Sequence, residues 1–243
     1  MKLLKKFLDK CKLLFKMCVL NTCFTGGLFM DDKPGSKKRI LWAAGEIFSE
    51  TGFRRATVRQ IARRAGVNVA SINYYFQSKD NLYLETLRYW KDIAFEKYPR
   101  ELGALQSDPP EKRLEGFVHA FVYRILDSGV ESRFGRLMAR EFADPTEALD
   151  VIAEETARPM FNLIASIVGQ IIDRDPASDK VLFCASSIIG QCLYFLYARP
   201  LYRHLIGDQK VKSLSLEDIA GHITRFSLAA LSEIRNDEPG APV

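Results

Sequence analysis

The sequence is poor in the residues that build metal and redox sites. Its three histidines, His119, His204 and His222, are scattered, and no HExxH spacing puts two ring nitrogens on one helix face. Of five cysteines, Cys11, Cys18 and Cys23 lie before residue 30, and Cys184 and Cys192 fall in an apolar helical stretch. There is no CxxC pair and no Cys/His metal spacing, so the body reads as a reducing-compartment, cytoplasmic chain with buried thiols. No GxSxG elbow, GxGxxG turn or P-loop is present, so the common nucleophile and nucleotide sites are missing. Strict apolar–polar alternation holds nowhere, which argues against strands. No catalytic residue, metal or cofactor is expected, and an enzyme is the weakest of the readings.

What is present is an ordinary globular composition: 243 residues, 47% hydrophobic and 27% charged. That is enough chain to bury a core in one large domain or two smaller ones. The formal net charge of +5 is unevenly placed. Residues 1–30 hold six lysines and one acid, Asp9. Residues 33–80 hold ten basic groups against Glu46, Glu50 and Asp80. Residues 81–243 are net acidic. A basic small module ahead of an acidic large one suggests an anion-binding head on a body with another task.

Residues 1–32 form a tail. Leu3, Leu4, Phe7, Leu8, Cys11, Leu14, Phe15 and Cys18 recur at helical spacing among lysines, which suits a basic amphipathic helix on a membrane. The uncharged run Met17 to Met30 falls short of the roughly 20 residues that span a bilayer. In-frame Met30 precedes a polar Asp-Asp-Lys-Pro-Gly-Ser arm. The favoured expectation is that residues 1–29 are not part of the natural product. A membrane tether and a disordered appendage are the alternatives.

The rest reads as helix throughout. Ser36 to Thr51 carries Ile40, Leu41, Ala44, Ile47 and Phe48 on one face, with Gly52 as the stop. Thr57-Val-Arg-Gln60 is a capping box, Gly66 ends that helix, Asn68 caps the next through about Phe76, and Ser78 caps a long helix to about Tyr98. Asp108-Pro109 reads as an N-cap followed by Pro at the first helical position, opening a helix to about Ser128. Residues 132–143 form a short helix. Asp144-Pro145-Thr146-Glu147 is a second cap signature and opens a helix to about Asp173, which Pro159 must kink or split. Helices over 178–198 and 215–235 complete an all-α chain of about nine helices. The division is a head over 33–80 and a body over 81–243.

The most specific signal is residues 57–79, T-V-R-Q-I-A-R-R-A-G-V-N-V-A-S-I-N-Y-Y-F-Q-S-K. Two short helices flank the turn Ala65-Gly66-Val67, with Ile61, Ala62, Ala65, Val67, Ile72 and Phe76 spaced to pack them together. This is a helix-turn-helix. Val69 and Ala70 are suited to a thymine methyl, and Ser71 and Asn73 to base edges or backbone. Tyr74, Tyr75 and Lys79 are suited to phosphates. Thr57 and Arg59 sit where a helix N-terminus meets phosphate. The competing reading packs Tyr74 or Tyr75 against the first helix. Arg63 and Arg64 read as a solvated basic face.

Residues 36–85, ending Y-Y-F-Q-S-K-D-N-L-Y-L, resemble the DNA-binding domain of the TetR family of transcriptional repressors. The resemblance implies a homodimer on double-stranded DNA at a palindromic operator, released when a small molecule binds the C-terminal domain. It carries over Arg59, Ser71, Tyr75 and Lys79 as DNA contacts. Asn73 departs from the Tyr often found there, and Val69 from a Lys or polar residue, so base preference does not transfer. Residues 133–149, R-F-G-R-L-M-A-R-E-F-A-D-P-T-E-A-L, followed by a Pro-containing helix, are similar to the CecR-like subgroup, chiefly through Arg140-Glu141 and Pro145-Thr146. That likeness implies a hydrophobic or amphiphilic effector.

Within the body, Trp90, Phe121, Phe134, Met138, Phe142, Met160 and Phe183, with Arg140 and Glu141 as polar members, are the candidate effector-pocket residues. Ordinary core is the competing reading for each aromatic, and a surface pair for Arg140 and Glu141. Helices 178–198 and 215–235 carry small residues among large ones. They are expected to form a two-fold four-helix interface between protomers. A membrane-tethered or ligand-independent regulator is the alternative function.

Overall fold

The computed structural model describes residues 35–127, 129 and 133–236. The expectations for the tail, 1–32, lie outside them. From Gly35 onward the described chain forms one compact unit, and every regular element in it is helical.

Helix α1, Ser36–Arg55, buries Ile40, Leu41, Ala44 and Phe48. The break comes at Gly52, whose φ of +79° and ψ of 167° interrupt the helix before its last three residues; only glycine adopts such angles without strain. Helix α2, Val58–Ala65, opens on the expected capping box. The Gln60 amide donates to Thr57 Oγ1 at 3.2 Å, and the Thr57 amide to Gln60 Oε1 at 2.9 Å. Gly66 closes it in the left-handed conformation, φ +64°. Helix α3, Val69–Phe76, is capped by Asn68, whose side chain accepts from the Ala70 amide. Helix α4, Lys79–Lys97, is capped by Ser78, which accepts from the Asn81 amide.

The body continues with α5, Pro110–Leu126, and α6, Arg133–Ala143. Next come α7, Ala148–Ile152, a π-turn over Ala153–Ala157, and α8, Arg158–Ile172. The π-turn is how Pro159 is accommodated. Proline has no N–H for the ladder and its ring crowds the preceding turn, so the helix widens just upstream. Two expected caps are corrected. Pro109 occupies the cap position of α5, while Asp108 accepts from the Leu105 amide and pairs with Lys112. Asp144 turns to Arg54 instead, and Thr146 Oγ1 accepts from the Ala148 amide.

Helices α9, Asp179–Tyr197, and α12, Leu216–Asn236, fall where expected. Between them, α10, Arg199–Ile206, and α11, Asp208–Ser213, were not anticipated.

Two apolar cores organise these helices. The first joins α1–α4 with Phe134, Leu137, Ala148 and Ile152, so it draws on both sides of the expected 80/81 division. The second is a bundle of α5, α8, α9 and α12, built on Phe117, Val118, Ile164, Val168, Val181 and Ile223. Phe95, near the end of α4, packs against both. Each fully buried aliphatic or aromatic side chain contributes roughly 1.5–3 kcal/mol. The head is therefore fastened to part of the body by burial.

Candidate nucleic-acid interface

The outward face of α3 follows from which residues the core takes. Ile72 and Phe76, one turn apart, are buried, as are Ile61, Ala62 and Ala65 of α2. Ala70, Asn73, Tyr74 and Tyr75 are left exposed, while Val69 and Ser71 are half-buried. Tyr74 is 81% exposed, which removes the reading that packs it against α1. Its ring meets Tyr75 edge-on at 5.1 Å, and Tyr75, 41% exposed, also lies against Phe76. Thr57 is exposed, but its hydroxyl is engaged with Gln60. Lys79 is half-buried at the start of α4. Its ammonium lies 4.3 Å from the Phe53 ring centre and 3.4 Å from the Arg54 carbonyl, so it is tied to the α1–α2 turn.

The head's cations fall into two groups. Arg55, Arg59 and Arg63 are exposed and make no ion pair among the described residues. Arg64 pairs with Glu46 at 2.7 Å, and that hydrogen-bonded carboxylate raises the guanidinium pKa. Arg54 donates from Nε to both oxygens of Asp144, at 3.0 and 2.9 Å. Arg55 and Lys37, whose Nζ is 5.8 Å from the Phe76 ring centre, went unread as candidate contacts. The net +7 of residues 33–80 was the only signal for them.

Behind the helix-turn-helix, the Arg140-to-Thr146 segment meets α1 and α4. Arg140 Nη2 donates to the Glu50 carbonyl at 2.7 Å. Glu141 is fully buried and accepts from the Tyr83 hydroxyl at 2.7 Å, the Thr146 amide at 2.7 Å and the Thr146 hydroxyl at 2.9 Å. Burial, then the Glu141 hydrogen bond, raises the Tyr83 pKa and keeps its hydroxyl a donor. Arg133 stacks on Trp90 and Trp42, 4.4 and 5.2 Å from their ring centres. This junction ties the 140–146 segment to α1 and α4, the helices on either side of the helix-turn-helix.

The family described as bacterial regulatory proteins, tetR family, matches residues 40–86. The C-terminal domain of the HTH-type transcriptional dual regulator CecR matches residues 110–231. The chain belongs to the TetR family and carries a CecR-type C-terminal domain. It is thus a DNA-binding transcriptional regulator, not an enzyme. The CecR regulator of Shigella flexneri is 27% identical over 168 residues, 66% of this chain and 75% of that protein. The BetI regulator of Serratia proteamaculans (strain 568) is 35% identical over 86 residues, 35% of this chain and 43% of the relative. A TetR-like regulator structure from Rhodococcus sp. RHA1 superposes with TM-score 0.60 at 14% identity, over 84% of this chain and 99% of the other. A Saccharomonospora viridis regulator in complex with choline superposes with TM-score 0.59 at 18% identity, over 79% and 94%. At those identities the structures share the fold alone.

In this TetR-family body the nine expected effector-pocket residues do not converge. Trp90, Phe134, Met138 and Glu141 belong to the first core and its junction. Phe121 and Met160 belong to the second. Arg140, Phe142 and Phe183 are exposed, Phe142 by 47% and Phe183 by 72%. They were singled out as the aromatic and apolar members of the body, and the helices turn them to different neighbours. Two surface grooves, about 590 and 420 Å³, lie at the head instead. One is lined by Glu46, Glu50, Gln60 and Arg63, the other by Phe53, Arg54, Tyr83 and Asp144. The first is lined mainly by charged and polar side chains, and the second has a largely apolar wall edged by Arg54, Arg140 and Asp144.

Proposed function

We propose that the chain is a repressor that binds a two-fold symmetric operator as a homodimer and leaves it when a small, largely apolar effector occupies the body. The observation that carries the DNA part is the face of α3. Ala70, Ser71 and Asn73 are short enough for base edges in the major groove, with Val69 beside a thymine methyl. Tyr74, Tyr75, Lys79 and Arg59 lie around them for phosphates, and Thr57 holds the α2 N-terminus at the backbone.

The apolar surface of α9 and α12 supports the dimer. Helix α9 has mean hydropathy 1.4, yet 22% of it is buried within the protomer. Val181, Ala185, Ile188 and Cys192 face the bundle. Phe183, Tyr194 and Tyr197 stay exposed, as does Phe226 of α12. Gly190 has open space around it, which allows close approach of a second helix. By length and composition α9 could also cross a membrane, but its packing on α5, α8 and α12 favours a protein partner. The choline found with the Saccharomonospora viridis regulator supports a small-molecule effector.

Selecting bound DNA from a random pool tests this reading. A palindrome with half-sites one helical turn apart is expected. Recovery of single, asymmetric sites overturns the dimer on its operator. Reporter expression with and without the gene distinguishes repression from activation.

A further inference from the structure

Among the described residues, three arginines are buried in the body: Arg113, Arg124 and Arg133. Two have a carboxylate. Arg113 pairs with Glu101 at 2.7 Å, and Arg133 reaches Glu46 at 3.4 Å. Arg124 has none. It is 2% exposed, and Nη1 donates to the Tyr98 carbonyl at 2.9 Å. Its guanidinium lies 4.3 Å from the Phe95 ring centre and 6.0 Å from that of Phe121. Nη2 is buried with no hydrogen-bond partner.

Among the described residues, no neighbour supplies a counterion. Asp127, one turn along the chain, spends its carboxylate on the Lys97 ammonium, the Tyr98 hydroxyl and the Gly129 amide. Cys192 is fully buried, and burial pushes its thiol up to about 12, so it is not an anion at neutral pH. Burial, then the like charge of Arg100, pulls Arg124 down to about 9, which still leaves it charged. An uncompensated buried charge is costly, whereas a hydrogen-bonded ion pair recovers much of that cost.

We infer that Arg124 anchors an organic-anion site between the end of α4 and helices α5 and α9, which takes a monocarboxylate with an apolar tail. One guanidinium calls for one negative charge. Its planar fork matches a carboxylate, and Phe95 and Phe121 flank it with the apolar surface that a tail needs. This site rests on the effector reading above and names the effector's chemical class. It also supplies a route to the head. Arg124 holds the carbonyl of Tyr98, the residue that ends α4, and α4 begins three residues after the recognition helix. An anion that redirects the guanidinium changes the hold on the end of α4.

The test uses the full chain. Decanoate and 4-phenylbutyrate are titrated calorimetrically at pH 7.5, each against its matched primary amide, with operator binding followed in parallel. At least one carboxylate is expected to bind tenfold or more tightly than its amide. Arg124→Met, checked by circular dichroism, is expected to reduce that carboxylate to the level of the amide. Arg124→Lys, which keeps charge without the fork, is expected to lose about tenfold and serves if the Met variant fails to fold. Equal binding of acid and amide, no binding of either carboxylate, or full carboxylate affinity in either folded variant overturns the site. Carboxylate binding that depends on Arg124 but leaves DNA affinity unchanged confirms the site and instead sinks effector-driven release.

Discussion

The two sides of the head treat charge in opposite ways. On the side toward the body, Arg54 meets Asp144, Arg64 meets Glu46, Arg140 meets a carbonyl, and Glu141 accepts three hydrogen bonds. Elsewhere on the head, Arg55 and Arg59 have no ion-pair partner among the described residues, and Tyr74 of α3 stands 81% exposed. Exposed ion pairs add little to stability, so the contrast is one of role. On the proposed function, a paired cation has its charge matched by a carboxylate, and an unpaired one is left for phosphate. Net charge alone cannot make that distinction, since both kinds count equally in it.

The largest effect should come from breaking the junction at its buried centre. Glu141→Ala leaves the Tyr83 hydroxyl and the Thr146 amide without their acceptor. Unsatisfied buried groups cost about 1–3 kcal/mol each, so a loss of about 3 kcal/mol is expected in a urea unfolding curve. Wild-type stability in that variant would mean that the junction does not fasten the head.

On the outward side, Ser71→Ala is expected to relax preference at one operator position. A lost base contact is worth about 1–3 kcal/mol against the competing base. Binding to a library of single-position operator variants reads this directly. An equal loss at every position would move Ser71 from base reading to backbone contact.

Arg59 and Arg64 give the sharpest version of the contrast, because both lie on α2 and both are exposed. Arg59→Ala should weaken binding about tenfold on all sequences and lower the salt slope by about one unit, as for a single phosphate contact. Arg64→Ala should leave the salt slope alone and lower thermal stability slightly. Lys79→Ala should behave as Arg59→Ala does. Its seat on Phe53 and the Arg54 carbonyl predicts an added loss of thermal stability that Arg59→Ala lacks. If Arg64 shows the larger salt effect, pairing does not sort the head's cations by role.

Much of this was legible because helix ends are written locally. Thr57 with Gln60, Gly66, Asn68 and Ser78 each satisfy or terminate backbone groups within four residues, so the head could be laid out from its sequence. The apolar spacing of Ile61, Ala62, Ala65, Ile72 and Phe76 then fixed the outward face. What escaped depends on distant partners. Asp144 looked like a cap, but Arg54, 90 residues away, takes it. Helices α10 and α11 escaped because Pro200 and Gly207 interrupt any period. The pocket candidates were scattered because an apolar, aromatic composition does not say which neighbour each side chain meets. Arg124 did have a signal, one cation in the apolar run Phe117 to Leu126, but only its burial without a carboxylate gives it meaning.

The smallest expected effect is at the Arg54–Asp144 pair, where side-chain exposures of 72% and 54% put both groups in water. In a double-mutant cycle with Arg54→Ala and Asp144→Ala, the coupling in unfolding free energy should be under about 1 kcal/mol and should shrink as salt rises. The pair's value lies in orientation, because it bridges the start of the DNA-reading motif and the segment that Glu141 anchors. Arg54→Ala should therefore change operator affinity more than it changes stability. If coupling energy and affinity loss are equal, the pair is a simple strut, and orientation rests on Arg140 and Glu141.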